Sequence, residues 1–196
     1  MQEAISLIKA EHRSLAAVLH GLVTIMGDLQ QSGGRTDFSL LGAMLDYVDQ
    51  YPDRFHHPKE GQFLFRLLRA RAPDAAGLLD TLETEHMKNR QLMGELRQAL
   101  RRYQEQPSDR GRRDAWAELV RQYAEFHWNH MRLEEEQVFP LAESRLRPED
   151  WAQIAAAFRQ NEDPLTGLSA KLHYEELLRR IVTAAPAPVG VGAPWR

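Results

Sequence analysis

The chain has 196 residues, 43% hydrophobic and 27% charged, which predicts one soluble-type domain with a real core and no second full domain. Its 28 acidic and 25 basic residues leave a formal charge of −3, a near-balance that gives no reason to expect nucleic acid or an anionic membrane as partner. There is no cysteine, so disulfides, thiolate metal sites, iron–sulfur clusters and cysteine nucleophiles are excluded.

The first helical segment carries an apolar stripe of Ile5, Leu7, Ile8, Leu15, Leu19, Leu22 and Ile25, broken by Ser32, Gly33 and Gly34. Glu3 interrupts the cationic-then-apolar pattern of a signal peptide, and no run approaches the roughly 20 apolar residues of a membrane span. A cytoplasmic protein is therefore expected. A second segment opens near Asp37 and runs to Arg71, with Pro52 and Pro58 predicting a kink or short break around residues 51 to 58. The third runs from about Asp74, its expected N-cap, to Gln104. The fourth follows the loop Gln106 to Gly111 and reaches Arg145 before Pro148 stops it.

Two shorter helices are expected near 149 to 160 and 164 to 183, and the tail from Ala184 has too little apolar mass to pack. No stretch alternates with period two, so the class is all-α. Short loops between long helices predict an antiparallel four-helix bundle over residues 1–146. A helical extension over 147–183 would pack on it, covering an open side or making a homodimer, and 184–196 would be a flexible tail.

Eight histidines are present, and their placement carries the chemistry. Shifting the chain by 74 residues maps Glu11-His12 onto Glu85-His86, His56 onto His130, Glu60 onto Glu134 and Phe65 onto Phe139. The repeat is sharpest at polar residues, the reverse of what core packing alone would leave. Loop positions agree independently. The midpoint of 12 and 56 falls at Gly34, that of 60 and 86 at Pro73, and that of 86 and 130 at Ser108, each in a predicted loop. In antiparallel hairpins this puts all four histidines and both glutamates at one level. The spacing of four within His56/Glu60 and His130/Glu134 puts each pair on one helix face, about 6 Å apart.

Burying four imidazoles and two carboxylates together is costly unless cations compensate them. The mixed donor set favours iron or manganese over copper, and two carboxylates are suited to bridging two ions. The series H…HxxxE…H…HxxxE resembles the hemerythrin-like, HHE cation-binding domain over roughly residues 1 to 145. The resemblance implies an up-down-up-down bundle and a non-haem di-iron centre. It also implies functions such as binding or sensing dioxygen, peroxide, nitric oxide or iron, or repairing iron–sulfur clusters. Manganese and zinc are the substitute metals.

Carried over by position, His12 is the first-helix ligand, His56 and Glu60 the second-helix pair, His86 the third-helix ligand, and His130 and Glu134 the fourth-helix pair. Hemerythrin oxygen carriers have a further histidine four residues on in the third helix, where this chain has Arg90. Their fourth-helix acid stands five residues after its histidine, which would select Glu135, whereas the internal repeat selects Glu134. The pattern is closer to four-histidine, two-glutamate members, which tend to be sensors or reactive di-iron proteins. The alternative reading is an iron-handling or interaction module with a non-catalytic iron or zinc site.

Other residues read more simply. On an α-helix His57 points away from the Glu60 face, as a surface residue or outer neighbour of the site. His127 is within reach of the layer but maps to Asp53. His20 and His173 read as unrelated, Glu136 as solvated, and Trp116, Tyr123, Phe126 and Trp128 as core aromatics.

Overall fold

The computed structural model describes residues 1–160. Among them every regular element is helical and none is a strand. No described helix is long and apolar enough to cross a membrane. The long helices are α1 (Gln2–Ser32), α2 (Phe38–Tyr51), α5 (Ala76–Glu105) and α6 (Arg110–Leu133), and shorter ones are α3 (His57–Lys59), α4 (Arg66–Arg71), α7 (Phe139–Arg145) and α8 (Pro148–Phe158). The expected helix over 164–183 and the tail over 184–196 lie outside the described residues.

Local chemistry sets the ends. Gly33 closes α1 at φ 66°, a left-handed position that favours glycine, and donates its N–H to the Leu29 carbonyl at 3.0 Å. Asp37 caps α2 by accepting the Leu40 N–H at 2.9 Å, and Asp109 caps α6 by accepting the Arg112 N–H at 3.1 Å. Asp74 does not cap the third long helix. Pro73 starts a 3-10 turn, Pro73–Ala75, that contains Asp74, and α5 begins after it with no side-chain cap.

The expected break at 51 to 58 takes another form. The chain stays helical from Phe38 to Arg71, and Pro52–His56 and Glu60–Phe65 are π-helical turns. The His57 N–H reaches back five residues to the Pro52 carbonyl. Proline removes a bond of the four-residue ladder and crowds the preceding turn, and a wider turn accommodates both effects without breaking the helix. A third π turn, Glu134–Val138, joins α6 to α7 just before Pro140.

The continuous helical stretches pack as neighbours: α1 on α6, α6 on α5, α5 on α2 and α2 on α1. Their apolar stripes form two separate clusters. One contains Leu19, Leu22, Met44, Val48, Leu96 and Trp116; the other contains Ile8, Leu64, Phe65, Leu82, Phe139 and Ile154. Each large apolar side chain so buried contributes about 1.5–3 kcal/mol. Helix α8 lies against α1, α3 and the Glu60–Phe65 turn. It is held by a two-pronged Arg71–Asp150 ion pair at 2.9 and 3.2 Å and by Lys59 Nζ donating to the Ala157 carbonyl at 2.9 Å. Asp150 also accepts the Arg147 N–H at 2.9 Å, tying down the start of α8.

Candidate metal centre

His12, His56, Glu60, His130 and Glu134 are all buried, and His86 is half-buried beside them. They fall between the two apolar clusters. His12 lies within α1, His86 within α5 and His130 within α6; His56 ends one π turn, while Glu60 and Glu134 each open another. Glu60 and Glu134 thus share backbone form as well as residue type.

Each glutamate lies between two imidazoles. Glu60 Oε1 is 3.3 Å from His56 Nε2 and its Oε2 is 3.5 Å from His86 Nε2. Glu134 Oε2 is 3.1 Å from His12 Nε2 and its Oε1 is 3.0 Å from His130 Nε2. His86 Nε2 and His130 Nε2 are 3.1 Å apart. Two groups emerge whose donor atoms lie within 4.8 Å of one another: His12, His56, Glu60 and Glu134, and His57, Glu60, His86 and His130.

These groups fit metal ions. Both carboxylates are 0% exposed, yet none of their four oxygens receives an aligned hydrogen bond. Such burial is expensive for a carboxylate without compensation. Oxygen and nitrogen atoms bound about 2.1 Å from one ion and roughly perpendicular to each other stand about 3.0 Å apart, close to the separations seen here.

The outward-facing imidazole nitrogens are also held. Glu11 Oε2 is 2.7 Å from His56 Nδ1, Glu85 Oε2 is 2.7 Å from His130 Nδ1, and Glu135 Oε1 is 3.0 Å from His12 Nδ1. A carboxylate accepting from Nδ1–H leaves the Nε2 lone pair facing inward. Glu135 thus sits outside the layer, where it also pairs with Lys9 at 3.2 Å, while Glu134 faces inward. The first two contacts are related by the same shift of 74 residues. Glu11 and Glu85 were visible in the repeat, but their role was not, because each orients a histidine on a different helical stretch. Glu11→Ala and Glu85→Ala are each expected to weaken metal binding by about 10–100-fold, read by competition with a chromophoric chelator.

Sequence reasoning placed His57 outside the layer, and the structure corrects this. His57 is buried and its ring stacks on His86, 3.9 Å between centroids with planes 18° apart. The π turn before it rotates the chain less per residue than an α-helix, so two consecutive histidines both reach the interior. Pro52 and Pro58 were the available signal. His127 is buried, but its Nε2 is 2.9 Å from Asn89 Oδ1, which also accepts from the Tyr123 hydroxyl at 2.8 Å. It belongs to neither donor group. His20, Arg90 and Glu136 are exposed, and His173 lies outside the described residues. Trp128, read as core, is 37% exposed and borders a surface cavity of about 320 Å³ that reaches His12, Ala16 and Met131.

Electrostatics divides the layer when no cation balances it. Burial works against the charged form of His130, but the Glu134 charge and the bond to Glu85 hold its pKa up at about 10. His12 and His56 are also raised, each against its own burial, by neighbouring carboxylates. Burial, then the charges of His57 and His130, push His86 down to about 2, and burial and His56 lower His57. Burial and the Glu134 charge raise Glu60, whereas His130 and His12 overcome burial to hold Glu134 low.

At neutral pH the metal-free layer therefore keeps a proton on His130, with His12 and His56 shifted in the same direction, and a bound cation would displace protons from these imidazoles. Metal addition to weakly buffered protein is expected to release protons. Apparent affinity should rise as pH rises from 6 to 9, measured by titration at fixed ionic strength.

The family model of the hemerythrin HHE cation binding domain matches residues 3–142. No curated protein and no solved structure matches the chain.

Proposed function

The chain belongs to the hemerythrin HHE cation-binding domain family, and from that premise we propose that it is a non-haem di-iron protein that binds or senses dioxygen, nitric oxide or a related small oxidant. The observation that carries the reading is the pair of fully buried carboxylates, Glu60 and Glu134, each set between two inward-facing imidazole nitrogens. In this reading His12 and His56 hold one ion, His86 and His130 hold the other, and Glu60 and Glu134 serve both. The scaffold is an antiparallel up-down-up-down four-helix bundle, with α8 the start of a C-terminal extension packed on it.

A bound iron pair would supply reversible electron exchange with the small oxidant. The chain's own residues do the rest. Glu11, Glu85 and Glu135 fix the three imidazoles they touch, so the donor atoms need little rearrangement on loading. The apolar clusters on either side limit water in the layer. The cavity between Trp128 and His12 offers a small molecule an approach.

The test is spectroscopic. Iron-loaded protein should show near-ultraviolet charge-transfer bands that change on adding oxygen, peroxide or nitric oxide. A loaded but inert spectrum would contradict this reading and favour an iron-handling or interaction module.

A further inference from the structure

We infer that His57 is a fifth imidazole donor of the metal centre, serving the ion held by His86 and His130, so that the two metal positions are chemically unequal. The inference rests on the two-ion reading above and adds to it a residue outside the H…HxxxE…H…HxxxE series.

Position is the first argument. A donor atom of His57 lies within 4.8 Å of donor atoms of Glu60, His86 and His130, and no residue of the His12 group intervenes in that set except the shared Glu60. The ring is buried, 5.9 Å between centroids from His130 as well as stacked on His86. A side chain needed only to fill space there could be apolar, without the cost of burying a polar imidazole.

Asymmetry is the second argument. Every other member of the layer has a counterpart 74 residues away, but His57 maps to Met131. Met131 is buried and lines the cavity beside His12. A thioether is a soft, weak donor for iron or manganese. The two halves of the repeat thus place an imidazole beside one metal position and an apolar side chain with an adjoining cavity beside the other. The π turn Pro52–His56, which turns His57 inward, also lacks a counterpart, since residues 126–130 are ordinary α-helix in α6.

The test uses Co(II) with metal-free full-length protein. Wild type should take up two Co(II) and show five exchangeable, hyperfine-shifted imidazole N–H resonances by proton NMR. His57→Phe keeps an aromatic ring for packing but removes the donor. It should show four such resonances, keep one site at wild-type affinity and weaken the other by about tenfold or more, at least the loss that outer partners alone produce. Two Co(II) with only four shifted resonances in wild type would overturn the role of His57 while leaving the two-ion reading intact. Fewer than two Co(II) in wild type would overturn both. The wild-type count needs no variant, so it stands even if His57→Phe fails to fold.

Discussion

Replacing Glu60 with alanine is expected to take bound metal from the proposed two ions per chain to fewer than one, measured by elemental analysis of purified protein. Glu60 belongs to both donor groups, and its two oxygens face imidazoles of different groups, His56 and His86. Truncation removes negative charge from beside both ions in a buried layer. Breaking one partner of a buried ionic set costs about 3–5 kcal/mol, which corresponds to about a hundredfold to a few thousandfold in affinity. The metal-free form should respond differently. There burial and the Glu134 charge work against ionised Glu60 while Glu60 supports charged His56, so its removal has opposing effects and should leave the apo variant folded. Glu135→Ala is the contrast: that carboxylate touches the outer nitrogen of His12 and Lys9 and faces neither donor group, so the affinity should weaken only as for Glu11→Ala and Glu85→Ala. Full metal content in Glu60→Ala would show that Glu60 does not serve two ions.

Stripping metal from the wild type is expected to lower its thermal midpoint by about 10–20 °C while leaving the far-ultraviolet helical signal intact at room temperature. A ligand present at a hundredfold excess over its dissociation constant stabilises the fold by about 2.7 kcal/mol, so the two proposed ions would supply about 5 kcal/mol. A chain of this size shifts by about 2–4 °C per kcal/mol. The fold should survive the loss because its two apolar clusters lie on either side of the layer and do not depend on it. Calorimetry before and after chelation, with reloading as control, measures the shift. An unchanged midpoint would mean that the buried carboxylates are balanced by protons alone.

The clustering of His12, His56, Glu60, His86, His130 and Glu134 is legible in the sequence because two constraints agree. A fixed shift of 74 residues related the polar positions, and loop midpoints put them at one height. Both depend only on sequence spacing. The inward position of His57 is not legible, because uniform α-helical rotation turns it outward whereas two prolines widen the backbone into π turns. Asp74 failed as a cap because Pro73 starts a 3-10 turn before α5 begins. The apolar character of Trp128 points to the core, but the residue occupies the rim of the cavity at His12. The roles of Glu11 and Glu85 are not legible in the sequence, since a hydrogen bond between helical stretches depends on their relative rotation, which periodicity does not supply. Arg90, which stands where oxygen carriers have a further histidine, is exposed and takes no place in either donor group.

The proposed pair of ions would be held jointly by Glu60 and Glu134. Diffraction from iron-loaded crystals on both sides of the iron absorption edge tests this proposal most directly. Two anomalous peaks about 3.5–4 Å apart are expected, one beside His12 and His56 and the other beside His86 and His130, each next to Glu60 and Glu134. A single peak, or iron located away from the two carboxylates, would contradict it.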